Sequence, residues 1–231
     1  MPIIHDKEFG KVTIRRSARA TQVSVRLAPD GSLRATLPIY APVLLVRYLL
    51  KNSREQLRKM ISKSKPEYQI ENGQQIGKSH SLIINNVTGR NFSVRRHGQQ
   101  IIVSLPDTAN LTDEVIARKI RDEIISALRI EAKSYLPRRL NYLANQHGFK
   151  YSKIRFSHSS SRWGSCSSNG TISLNIALMK LPFDLIDYVL LHELSHTKEM
   201  NHSRNFWRIV ASIDPQYMTH RKALKLQNPS I

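Results

Sequence analysis

Cysteine is almost missing from this chain. Cys166 is the only one in 231 residues, so no intramolecular disulfide can form, and a reducing compartment, the cytoplasm, is the expected setting. Long apolar runs are missing as well. No stretch reaches the roughly 18 apolar residues that a spanning helix needs, so a membrane-embedded protein is not expected. Residues 1–7 lack the apolar core of a secretory leader. Acidic groups are scarce: 17 Asp and Glu stand against 36 Lys and Arg, for a net charge of +19. A field of this sign attracts polyanions through counterion release. The excess is spread evenly, with 18 basic and 9 acidic groups in residues 1–115 and 18 and 8 in residues 116–231. No basic tail exists, so the charge allows a nucleic-acid partner without requiring one.

What is present divides into two patterns. Short alternating bursts, Lys11–Arg15, Thr21–Leu27 and Ser32–Leu37, predict strands, with Pro29-Asp30-Gly31 as a hairpin turn between the last two. Pro42 to about Lys63 predicts one helix, with Val43, Val46, Leu50, Leu57 and Ile61 on its apolar face. Ser81–Ile84, Phe92–Arg95 and Gln100–Ser104 read as further strands, the last two joined at His97-Gly98. From Thr112 to about Gln146 the period becomes helical, through Val115, Ile116, Ile120, Ile124, Leu128, Ala132 and Tyr135, and Pro137 is expected to kink that helix or start another. Lys153–Ser157 and Thr171–Asn175 read as strands, and Phe183 to Thr197 as a helix apolar nearly all round and therefore buried. The fold class is α+β: a β-rich N-terminal region with one helix over residues 1–110, then a helical core with a small sheet over residues 111–231.

That last helix carries His192-Glu193-Leu194-Ser195-His196. Residues four apart lie about 40° round the helix and about 6 Å along it, so both imidazoles can reach one tetrahedral ion. Glu193 projects about 100° from His192, close to a metal without having to ligate it, and can take a proton from a water held there. A catalytic zinc needs a third protein ligand and an open position. His202 is the candidate, with Glu199 as the rival. Between them the helix must end and the chain turn back; Asn201 could supply a left-handed residue, and Ser203 caps a new helix bearing Phe206, Trp207, Ile209 and Val210. Cys166 is a conceivable fourth ligand, which would make the zinc structural. His158 could line the site, whereas His5, His80, His97, His147 and His220 have no companion at ligand spacing. For a developing oxyanion, Arg162 and Tyr217 are the candidate donors. Thr171–Asn175, if it were a sheet edge, could receive an extended peptide by strand addition.

Arg162-Trp163-Gly164-Ser165-Cys166, Ile172-Ser173-Leu174-Asn175, the His192–His196 helix, Asn201-His202-Ser203 and Phe206-Trp207 together resemble the YgjP-like metallopeptidases, relatives of the SprT-like and WLM zincins. The likeness is clearest from Lys153 to Leu224, with Pro215-Gln216-Tyr217 and Arg221 downstream, and looser before that. It implies a zincin-like core, Zn2+ on His192, His196 and His202, Glu193 as the catalytic residue, and a peptide or protein substrate. The histidine spacing also resembles the metzincins, but Glu199 stands where their glycine would be. SprT-like relatives act on proteins attached to DNA, so the resemblance together with the charge leaves open a DNA-linked protease or a DNA-binding module with a structural zinc.

Overall fold

The structure is a computed structural model that describes residues 2–27, 32–64, 70–89 and 91–231, with side chains omitted at 62–64. It divides into two compact units, Met1–Tyr68 and Gln69–Ile231. Helices and small mixed sheets share the chain, as an α+β protein requires.

The first unit holds a four-stranded sheet. Its strands are β1 (Ile3–Asp6), β2 (Gly10–Arg16), β3 (Ser24–Leu27) and β4 (Leu33–Leu37), in the order β1-β2-β4-β3. The β1–β2 turn closes because the Asp6 carboxylate accepts from the Glu8 and Phe9 amides and Gly10 takes a φ of 65°. β3 and β4 pair antiparallel, as the hairpin pattern predicts, while the Pro29-Asp30-Gly31 turn falls outside the described residues. Alternation along β2 and β4 buries Val12, Ile14, Leu33, Ala35 and Leu37 together on one face.

The single helix expected from Pro42 is in fact two, α1 (Leu44–Asn52) and α2 (Arg54–Ser64). Ser53 leaves helical geometry at φ −110°, ψ 21°. Asn52 and Ser53 are weak helix formers, so the chain bends there at small cost and still buries Val46, Leu50 and Leu57 on the sheet.

In the second unit, β5 (Ser81–Val87), β6 (Ser93–His97) and β7 (Gln100–Pro106) form one sheet in the order β5-β7-β6. The β6–β7 hairpin turns at Gly98, φ 59°, with Gln99 at negative φ, the pattern of a primed two-residue turn. Asn110 lies in the turn between β7 and the long helix α3 (Glu114–His147). Asp113 caps α3 by accepting from the Val115 and Ile116 amides, and Gly148, at φ 64°, ends it. Val115, in the first turn, is exposed rather than in the buried stripe. α3 runs through Pro137 without starting a new helix. Proline costs one backbone bond there, and Leu136, Leu140 and Leu143, all buried, hold the helix on both sides of it.

Two polar devices tie α3 to the elements around the site. The buried carboxylate of Glu131 accepts from the amides of Lys78 (2.6 Å), Ser79 (2.9 Å) and His80 (2.9 Å), and meets His80 Nδ1 at 2.6 Å. Gly77 has no room for a side chain, because a Cβ there would fall 2.2 Å from Glu131 Oε2. Arg139 grips Asp187, on the next α-helix, with two bonds of 2.8 and 2.6 Å.

After α3 come β8 (Lys153–Ser157), β9 (Gly164–Cys166) and β10 (Thr171–Asn175), forming a sheet in the order β8-β10-β9. β10 is central, parallel to β8 and antiparallel to β9, and so is not the edge that would accept a peptide. β8 and β9 are the two edges of this sheet. Ile172 and Leu174 point into the core, and a buried 3-10 turn, Ile176–Lys180, leads to α4 (Phe183–Ser195). Ser203 begins α5 (Arg204–Ile213), and α6 (Tyr217–Lys225) follows. Among the described residues no helix is long and apolar enough to cross a membrane.

Candidate metal centre

α4 starts after Pro182, whose carbonyl receives the Ile186 amide, and buries Leu185, Ile186, Val189, Leu190 and Leu194. Its near-complete burial is the one the sequence predicts, except at Phe183, which is half exposed and packs on Tyr135. The helix ends at His196, and the Thr197, Lys198 and Glu199 amides turn back onto Leu194 and Ser195 carbonyls. Asn201 does not adopt a left-handed conformation, since no residue other than glycine has positive φ among the described residues. The reversal is made by those successive turns and by the Ser203 amide on the Asn201 carbonyl at 2.7 Å. Ser203 then caps α5 through the Phe206 amide, as its position predicts.

This path brings His192, His196 and His202 together. One ring nitrogen from each lies within 4.8 Å of the others, and neither Glu199 nor Cys166 belongs to that group. His192 Nε2 and His202 Nε2 face each other at 3.1 Å. Nitrogens sharing a tetrahedral zinc at the usual bond length sit about 3.3 Å apart, so the separation suits a common ion. His196 Nδ1 lies 3.1 Å from the Glu199 carbonyl, to which it can donate only as N–H. That bond leaves Nε2 with its lone pair. The backbone of Glu199 thus orients a histidine, while its side chain stays outside the cluster. Burial pushes the His192 ring down to about 3, helped by His196, His202 and Arg221, and burial likewise lowers His196. Neutral imidazoles are the form that can bind a metal.

Aromatic rings hold the histidines from behind. Phe206 stacks on His196 with centroids 4.4 Å apart, and Trp207 stacks on His202 at 5.6 Å. Tyr217 stacks in turn on Trp207 at 5.7 Å, and the Arg221 guanidinium sits 4.4 Å from the Trp207 centroid. Tyr217 is therefore one ring removed from His202. Rigid planes at these positions limit how the imidazoles can rotate.

Glu193 is 6% exposed, and its Oε2 has no hydrogen-bond partner. Burial drives its carboxyl up to about 8, while the charge of Arg162 pulls the other way. Arg162, exposed two residues before β9, is the cation whose field reaches this carboxylate. Gly164 lies against the same side chain, and a Cβ on it would fall 2.7 Å from Glu193 Oε1 and 2.8 Å from Cγ. The Cys166 thiol is half-buried, and burial followed by the charge of Glu193 raises it.

Two histidines outside the cluster have charged neighbours of their own. His158 has Arg129, Arg121 and Lys180 as its charged surroundings. His220 joins Asp214, Nδ1 to Oδ2 at 2.8 Å, and its ring lies 6.1 Å from that of Tyr188. Tyr188 is a residue that the motif alone does not mark. It precedes His192 by one helical turn, its ring centroid is 6.0 Å from that of His192, and burial raises its hydroxyl to about 12. The i, i+4 spacing was the available signal.

The YgjP-like, metallopeptidase domain family matches residues 21–227. The chain belongs to that family. The match begins after β2, takes in β3, β4, α1 and α2 of the first unit, and includes the whole histidine cluster, in agreement with the resemblance read from the motifs. No curated protein matches the chain. Among solved structures, the metallopeptidase zymogen of Pyrococcus abyssi abylysin is similar at 24% identity, over 38% of this chain and 90% of its own, with a TM-score of 0.35. A likeness so slight bears neither on the fold nor on the site.

Proposed function

We propose that the protein is a zinc-dependent metallopeptidase in which His192, His196 and His202 hold the metal and Glu193 is the general base. The observation that carries this reading is the convergence of three histidine ring nitrogens beside a buried carboxylate with an unpartnered oxygen. Zinc, when bound, supplies Lewis acidity that polarises the scissile carbonyl and acidifies water. Glu193 Oε2 takes the proton of the attacking water as the C–O bond forms, then delivers it to the leaving amine as the C–N bond breaks. Gly164, having no side chain, lets that carboxylate occupy its place. Arg162 supplies positive charge for the oxyanion, supported by its electrostatic action on Glu193; Tyr217 is the second candidate, supported by its stacking near His202. A structural zinc would be expected to close its fourth position with a side chain such as Cys166, which lies outside the cluster.

Metal content of wild type and Glu193→Gln, with proteolysis of an unfolded protein in the presence and absence of DNA, tests the proposal. One equivalent of zinc in both and cleavage by wild type alone is the expected result. Stimulation by DNA would give the net charge of +19 a role. A folded protein that takes up no metal when zinc is supplied would refute the reading, and nickel, cobalt or iron in its place would correct the cofactor.

A further inference from the structure

Large apolar side chains gather on the surface of the first unit. Ile39, Tyr40, Leu44 and Tyr48 are each at least 60% exposed, and Leu45 is exposed beside them. Five such residues within ten positions form a patch, whereas the other exposed large apolar residues are spread along the chain. The loop that begins the patch is fixed, because Arg16 Nη1 donates to the carbonyls of Pro38, Ile39 and Ala41 and the Ala41 side chain is buried. Leu44, Tyr48 and Lys51 follow at i, i+4 and i+7 on the outward face of α1, opposite the buried Val46 and Leu50. No aspartate or glutamate occurs between Asp30 and Glu55. Beside the patch lies an open hollow of about 660 Å³ floored by Ile4 and Leu50, both buried. Lys7, Arg47 and Lys51 line it and have no ion-pair partner among the described residues. Asp6, which also lines it, is engaged by the Glu8 and Phe9 amides and by Arg54 at 4.0 Å. Round the helix, Arg47 and Lys51 fall between Leu50 and the apolar face, so the same two cations border both features.

We propose that the first unit docks on an anionic phospholipid surface. Ile39, Tyr40, Leu44 and Tyr48 enter the boundary between headgroups and acyl chains, and lipid phosphates meet Lys7, Arg47 and Lys51. The inference is separate from the peptidase reading. Shape and charge complementarity choose the occupant. The apolar side chains project and none of them lines the hollow, so the projecting part is apolar and the concave part cationic. A helical peptide partner asks for the reverse, an apolar groove. A bilayer, with phosphates above hydrocarbon, accepts the arrangement as it stands, and the amphipathic tyrosine rings suit its interface. A second copy of the chain would set Arg47 and Lys51 against their own counterparts, with no acidic residue in the segment to separate them. Aliphatic Ile39, Leu44 and Leu45 outnumber the aromatic rings and offer bases nothing to stack on, which disfavours single-stranded nucleic acid. Each cation held at an anionic membrane strengthens binding about fivefold, so the three together contribute roughly 100-fold.

The test sediments the full chain with vesicles of phosphatidylcholine alone or with about 30 mol% phosphatidylglycerol, and the anionic vesicles should bind at least about tenfold more tightly. A net charge of +19 attracts any anionic surface, so paired variants isolate the patch. Tyr40→Ser with Leu44→Ser removes exposed groups and should weaken binding about tenfold at unchanged Tm. Arg47→Gln with Lys51→Gln should weaken it about 20-fold, whereas the same charge removed from the second unit, Lys153→Gln with Arg155→Gln, should change it by less than about twofold. The first unit has no tryptophan, so Tyr40→Trp adds a reporter whose emission, read against wild type, brominated acyl chains should quench. Equal binding to both vesicles, equal weakening by the two charge pairs, or no quenching of the reporter overturns the proposal. So does single-stranded DNA binding that needs Tyr40 and Leu44 while vesicle binding does not, which would assign the patch to bases.

Discussion

Replacing Gly164 by alanine tests the arrangement of Glu193 with a single methyl group. Gly164 lies on β9 without positive φ, so alanine strains no backbone there. Its Cβ would nevertheless meet Glu193 Oε1 at 2.7 Å, Cγ at 2.8 Å and Cδ at 2.9 Å. Ordinary carbon contacts begin near 3.5 Å, so the pair must separate by roughly 1 Å. Glu193 cannot withdraw easily, because it is buried on a helix flanked by Leu190 and Leu194, both fully buried. Forcing a methyl into such a site costs about 1–3 kcal/mol, or a fall of roughly 2–10 °C in Tm for a protein of this size. A catalytic group misplaced by about 1 Å costs about 100-fold in rate. The expected outcome is therefore a modest loss of stability and a loss of about 100-fold in kcat/KM, with zinc content unchanged because no histidine is touched. Thermal melts, zinc analysis and single-substrate kinetics read the three quantities. Introducing Glu193→Ala beside Gly164→Ala should recover the lost stability, since the colliding atoms are gone; that coupling identifies the contact. Activity within twofold of wild type in Gly164→Ala would refute the reasoning.

His202→Ala should weaken zinc binding by more than about 100-fold, exceeding the usual cost of losing a partner behind a ligand. Because His202 is exposed in a turn, the circular dichroism spectrum should stay native, and wild-type affinity in chelator competition would remove His202 from the ligand set. Glu131→Ala strands the amides of Lys78, Ser79 and His80 and should cost about 3–5 kcal/mol at neutral pH. Burial alone would raise the Glu131 carboxyl, but the bonds from Lys78, His80 and Ser79 outweigh it and hold it below the ordinary 4.5. A depressed carboxylate contributes stability that is complete above 4.5 and is lost as pH falls through the lower folded value. Urea unfolding of wild type and the variant should therefore converge in acid, and a constant difference from pH 7 to pH 3 would contradict the assignment.

Much of the local structure was legible because each element has a period of its own. Alternation marked β4, β7, β8 and β10, and the helical repeat marked α3 and α4, since burial on one face imposes both patterns. The break at Ser53 was not legible, and at Pro137 the sequence left a kink or a new helix open, of which only the new helix is excluded. A local propensity of about 1–3 kcal/mol decides a helix end only when packing on either side does not outweigh it. Strand order was equally hidden: β10 reads as a strand from its residues, but its central place depends on β8 and β9 pairing from both sides.

The histidine motif is of a different kind. Spacing along a helix is rigid, so the sequence by itself determined that His192 and His196 share a face and that Glu193 projects beside them. The turn to His202 is short, but its path was not fixed by the sequence, since Asn201 does not take the left-handed conformation expected of it. Tertiary structure alone decided what surrounds them. Gly164 against Glu193, Phe206 and Trp207 behind the rings, and Glu131 beneath Lys78–His80 all join residues from separate segments. Contacts of that sort depend on the packing of elements against one another, and no period within a single segment records them.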